Sequence, residues 1–146
     1  MTATAPDAIT GYWRTEGGEA VFEILARGDS YAGRIVWLRE PDYPADDPQG
    51  MGGQPIVDRN NPDPAQRDRP LLGLELLTGL RYRRERGNAR WHDGRIYNSE
   101  NGKLYRCHVW LADDDHLKLR GYIGRPILGA TTTWTRVPAP DPFPAR

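Results

Sequence analysis

Six aspartates fall within one proline-rich stretch, Arg39–Pro70: Asp42, Asp46, Asp47, Asp58, Asp63 and Asp68. Loop carboxylates can serve acid–base chemistry or hold a ligand, provided a scaffold places them at a cleft. Asp58 and Asn61 are the best placed. Asn61-Pro62-Asp63 starts a turn, and Pro64–Arg67 can form one helical turn. The same side chains also suit Asx turns and helix caps, so a structural role competes with ligand contact and with catalysis. Arg69 adds a guanidinium suited to an anionic group.

Other chemistry finds less support. His92, His108 and His116 are the only histidines, and no two share a helical i, i+4 face, so no metal site is expected. The single cysteine, Cys107, excludes an internal disulfide and a multi-cysteine metal centre. Gly50-Met51-Gly52-Gly53 lacks the Lys-Thr/Ser of a phosphate loop, and no Gly-x-Ser-x-Gly elbow occurs. No cofactor is implied.

The basic run Arg81–Arg86 splits on a strand, with Arg81 and Arg83 on one face and Tyr82, Arg84 and Arg86 on the other. It reads as a solvated edge strand guarded by charge. Lys+Arg and Asp+Glu are 20 each, so no net excess exists to hold a nucleic-acid backbone or an anionic membrane. A set of aromatic and cationic residues is the remaining candidate: Trp37, Trp91, Tyr97, Lys103, Tyr105 and Arg120, joined by Arg69 from the loop. Such groups around an apolar pocket bind small molecules. Arg120 fits this set poorly, because the strand register below sends it away from the apolar face.

These residues need elements to position them. The chain has 146 residues, enough for one domain. No run is long and apolar enough to span a membrane. In the first hairpin, Ala20–Arg27 and Ser30–Leu38 flank Gly28-Asp29, a two-residue turn. Folding there pairs Phe22 with Ile35, Ile24 with Gly33 and Ala20 with Trp37 on one face, and Glu23 with Arg34 on the other. The second hairpin joins Lys103–Ala112 to His116–Ile123 through Asp113-Asp114-Asp115. That loop sets Cys107 opposite Gly121, Val109 opposite Leu119 and Leu111 opposite Leu117.

Further strands are read at Gly11–Arg14, Leu71–Leu77, Leu80–Arg86, Ala89–Tyr97 and Ala130–Val137. Leu71–Leu80 reads equally as a strand or a buried helical turn. The sum is an all-β domain over 11–137, an antiparallel up-and-down barrel of about eight strands. A leader (1–10) precedes it, a long Pro-rich loop (39–70) interrupts it, and a Pro-rich tail (138–146) follows. Within the loop, Asp58–Pro70 is expected to pack on the barrel and Asp46–Gly53 to be the looser part.

Gly11-Tyr12-Trp13 opens the first strand and Thr133-Trp134-Thr135-Arg136 closes the last. Lipocalin-like (calycin) barrels are similar at both ends, with an arginine of the last strand over the tryptophan of the first. That resemblance implies an Arg136–Trp13 cation–π lid on the barrel base. A closer resemblance spans nearly the whole chain. It is carried by Gly33-Arg34-Ile35-Val36-Trp37-Leu38, Asp58 with Asn61-Pro62-Asp63, Arg69-Pro70-Leu71-Leu72-Gly73, Gly94-Arg95-Ile96-Tyr97-Asn98, Asn101-Gly102-Lys103-Leu104-Tyr105 and Leu119-Arg120-Gly121-Tyr122. In these segments the chain resembles the bacterial Domain of Unknown Function 2147 family.

The resemblance implies a lipocalin-like barrel with no established activity, commonly exported to the periplasm. Exported members commonly carry a cysteine on each side of the first hairpin turn, where this chain has Arg27 and Ala32. Met1–Ile9 also lacks a basic n-region and an apolar h-region. The expectation is therefore a cytoplasmic protein, the alternative being a periplasmic one with its leader removed.

The functional expectation is a barrel that binds a small apolar or amphipathic molecule, with Asp58–Pro70 as a partial lid. One alternative is a hydrolase or isomerase of a small substrate, which rests on Asp58 alone. The other is a filled barrel with a structural or interaction role.

Overall fold

The computed structural model describes residues 5–122 and 129–140. Eight strands follow in order: β1 Gly11–Arg14, β2 Ala20–Arg27, β3 Ser30–Leu38, β4 Glu75–Glu85, β5 Asn88–Asn98, β6 Lys103–Asp113, β7 His116–Tyr122 and β8 Ala130–Val137. Each pairs antiparallel with its chain neighbour, and β8 returns to β1, closing the barrel. Closure leaves no sheet edge. The basic strand β4 is accordingly an interior strand between β3 and β5, not the edge strand its charges suggest. Arg81 and Arg83 do point outward, where they meet Asp29 and Asp93, while Tyr82 packs inside on Trp91.

Both hairpin registers follow the alternation of apolar residues. Phe22 lies opposite Ile35, Ile24 opposite Gly33, and Glu23 opposite Arg34 with an ion pair at 2.7 Å. Cys107, Val109 and Leu111 oppose Gly121, Leu119 and Leu117. The turn itself is shorter than expected. Asp113 pairs with His116, and an irregularity between Leu111 and Asp113 takes up the extra residue.

The mouth end of the first hairpin differs from the expected register. A bulge lies between Val21 and Phe22, so Ala20 pairs with Leu38 and Val21 with Trp37. One extra residue flips every side chain beyond it. Trp37 therefore leaves the core face and borders an outer recess with Arg14, Thr133 and Thr135. The β4 region also starts later than read, because Leu71–Leu74 is a turn that hydrogen-bonds to Ile35 before the strand begins.

The hairpin turns after β2, β4 and β6 gather at one end, the base. Connections after β1, β3 and β5 gather at the other, the mouth, where β7 ends and β8 begins. The base is sealed. Trp13, Leu80, Trp91, Val109 and Leu117 are fully buried above a 3-10 turn, Pro6–Ile9. Trp13 Nε1 donates to Ile9 O at 2.9 Å and Trp91 Nε1 to Pro6 O at 3.0 Å. Tyr31 OH also donates to Asp7 Oδ1. The segment ahead of β1 is thus a plug. The Arg136 guanidinium lies 4.3 Å from the Trp13 ring centroid. Gly11 has φ +123°, and a Cβ there would stand 2.9 Å from the Arg136 guanidinium, which explains glycine at that position.

Candidate functional site

Above the packed lower half, the barrel widens into an open recess. A cavity of about 550 Å³ opens at the mouth. Phe22, Ile35, Leu38, Ile96, Leu119 and Trp134 line its apolar part. Phe22 and Trp134 rings meet at 4.7 Å between centroids. The rim carries Tyr97, Asn98 and Ser99 from β5 and its turn, Tyr105 from β6, and the carboxylates Glu19 and Glu100. A volume in this range with an apolar floor and a few polar rim groups is typical of small-molecule sites. A second recess of about 320 Å³ adjoins it, sharing Glu19, Leu38, Leu71, Ser99 and Glu100 and reaching Tyr43, Ile56 and Arg59 of the long loop.

The long loop is ordered by two aspartates. Asp58 is fully buried. Its Oδ2 accepts from Arg69 Nε at 3.0 Å and Asn61 Nδ2 at 2.8 Å, and its Oδ1 from Tyr97 OH at 2.8 Å. Asp58 N donates to Arg69 O at 3.0 Å. This knot ties the loop to β5. Asp47 organises the other half. Arg59 grips both its oxygens at 2.9 Å, and the backbone N–H groups of Gln49 and Met51 donate to it. The Arg59 guanidinium also covers the Tyr43 ring at 4.1 Å. Asp46–Gly53 is therefore a built turn, against the looser segment expected, because a buried carboxylate replaces the missing apolar anchor. Asn60 completes the clasp, donating to Ser99 O at 3.1 Å.

The candidate residues now separate. Asp58, Asn61, Arg69 and Tyr97 come together at the loop–barrel junction, and Tyr97 and Tyr105 line the mouth. Trp91 is core near the base. Lys103 is exposed, its backbone N–H closing the turn onto Asn101 Oδ1 at 2.9 Å. Trp37 and Arg120 lie on the outer wall, Arg120 donating to Thr131 Oγ1 at 2.9 Å. Sequence reasoning missed Glu19, Glu100, Phe22 and Trp134 as cavity residues. Strand order held the signal, since in an up-and-down barrel alternate connections share one mouth.

The chemistry of these groups is quiet. Asp58 spends its oxygens on protein donors. Tyr97 is pushed up to about 12 by burial and then by its bond to Asp58, so it is a neutral donor near pH 7. Burial pushes the Cys107 thiol up to about 12, far from a nucleophile. Tyr31 is likewise pushed up to about 12, by burial and then by Asp7. A raised tyrosine pKa stabilises the fold fully below the unfolded value of 10.0, and that stability is lost as pH rises toward 12. Urea unfolding compared at about pH 8 and about pH 11 should show the loss, and Tyr97→Phe should remove part of the slope. An unfolding free energy level across that range would contradict these burials.

The chain belongs to the bacterial family described as "Uncharacterized protein conserved in bacteria (DUF2147)", which matches residues 11–136. Its fold is similar to that of protein HP1028 from the human pathogen Helicobacter pylori, which belongs to the lipocalin family. The TM-score is 0.70 at 22% sequence identity, over 93% of this chain and 84% of that one. No curated protein matches the sequence. Among the described residues, no helix is long and apolar enough to cross a membrane.

Proposed function

We propose that this member of the family binds a small amphipathic molecule in the mouth of its barrel. The observation that carries the reading is the division of the interior. The lower half is packed solid, whereas the upper half leaves about 550 Å³ over an apolar floor. A filled structural barrel has no reason to keep that space, since unfilled volume costs stability. The apolar part of the ligand would lie against Phe22, Ile35, Leu119 and Trp134. Its polar end would meet the rim of Tyr97, Tyr105 and Ser99. The hydrolase alternative is less favoured, because its carboxylate, Asp58, is buried in a knot of protein donors.

Gly121 offers a clean test. A Cβ there would meet nothing closer than 3.9 Å, so a larger side chain enters the mouth without a backbone clash. Native mass spectrometry of protein from its own host should reveal a co-purifying small molecule. A fluorescent amphiphile such as anilinonaphthalene sulfonate should bind and change Trp134 emission. Gly121→Leu should weaken that binding about tenfold or more while unfolding near the parent temperature, as a buried methylene contributes about 0.8 kcal/mol and a filled site admits no ligand. Equal binding by parent and variant would remove the mouth as the site.

A further inference from the structure

The outer wall of β5, β6 and β7 has an uneven charge that the net balance of the chain hides. Because Gly94, Cys107, Val109 and Leu119 face inward, their strand neighbours Arg90, Arg95, Arg106, Lys118 and Arg120 share the outer face. Arg95 sits directly opposite Arg106, and His108 opposite Arg120. Cross-strand like charges are unfavourable, so a sheet that keeps them is not optimised for its own stability. Arg90, Arg95, Arg106 and Lys118 make no ion pair among the described residues. Arg90 instead covers the Trp110 ring at 4.8 Å, and Lys118 donates to Thr133 Oγ1 at 2.6 Å. Acids border this wall without covering its centre: Glu85 of β4 and Asp93 of β5 are engaged with Arg83, and Asp113, Asp114 and Asp115 lie at the β6–β7 turn, where Asp113 is bound to His116. His108 senses the field: burial lowers its pKa first, then Arg90, His92 and Arg120.

Leu104, the one large hydrophobic side chain exposed among the described residues, belongs to the same outer row of β6 as Arg106, at the mouth end. We propose that this wall docks the barrel on an anionic lipid bilayer, the cations of β5–β7 meeting headgroup charge and Leu104 entering the interface. The geometry favours a surface over a strand-like polyanion. The charges spread across three strands rather than along one groove. Trp110 stacks with His108 at 5.5 Å and carries the Arg90 guanidinium over its ring at 4.8 Å, contacts that a nucleic-acid base would have to displace. The docking does not depend on ligand binding in the mouth.

Vesicle co-sedimentation tests the proposal with the whole chain. The protein should partition onto phosphatidylcholine vesicles doped with phosphatidylserine, not onto phosphatidylcholine alone, and added salt should release it. Each basic residue near such a surface is worth about fivefold in partition, so Arg106→Glu with Lys118→Glu should lower binding about twentyfold or more. Arg106→Gln with Lys118→Gln is the milder pair should the first fail to fold, and should show a smaller loss in the same direction. Leu104→Ser should reduce partition several-fold with the charge intact. Absence of partition at low salt, or partition unchanged in the charge variants, overturns the proposal. So does tight binding of a single-stranded oligonucleotide by a protein that ignores the vesicles.

Discussion

Arg69→Ala lowers the free energy of unfolding by about 3–5 kcal/mol, the usual cost of leaving a buried charge without its counter-ion. Asp58 has no exposure at all, and Arg69 provides its only cation among the described residues, with Nε and Nη2 both at 3.0 Å from Oδ2. Asn61 and Tyr97 are neutral donors and cannot replace that charge. The Arg69 side chain is 37% exposed, so water reaching its place keeps the cost toward the lower end of that range. Removing both charges should cost less than removing one. Asp58→Asn combined with Arg69→Ala is therefore expected to be more stable than Arg69→Ala alone. Chemical unfolding of the three variants measures the difference. Were Arg69→Ala to keep its melting temperature while losing affinity for an anionic ligand, the guanidinium would belong to a binding site and not to the loop.

Legibility of the sequence tracked the physics of each segment. The registers of Phe22–Ile35 and Val109–Leu119 were readable because polar residues alternate with apolar ones there, so a one-residue slip would expose the core. The bulge at Val21/Phe22 was not, because Ile35, Val36, Trp37 and Leu38 are all apolar and tolerate either face. That blind spot put Trp37 in the core and hid Leu38 at the mouth. Asp58 and Asn61 announced a turn by their own chemistry, but Tyr97 joins them from 39 residues away, a distance that no local pattern spans. The Asp47–Arg59 pair was missed for a related reason. Glycines and aspartates resemble a linker until a cation is known to close on them.

Arg136→Ala should be comparably costly, about 3–5 kcal/mol, through the base of the barrel. The guanidinium donates to three carbonyls: Asp114 O at 2.8 Å, Thr10 O at 3.0 Å and Ala8 O at 2.8 Å. Bonds from a charged donor contribute about 1.5–3 kcal/mol each, and they do not add in full. Stacking on Trp13 adds about 0.5–2 kcal/mol. One side chain thus joins the first strand, the last strand, the β6–β7 turn and the N-terminal plug. Its loss should free the Pro6–Ile9 turn before the barrel opens, exposing Trp13, which is otherwise fully buried. Red-shifted tryptophan emission below the main unfolding transition is the expected signature. Arg136→Lys keeps the charge but presents a single point where the planar fork reached three carbonyls, so it should recover less than half of the loss. A lysine variant as stable as the parent would mean that charge over the ring, and not the fork of hydrogen bonds, holds the base closed.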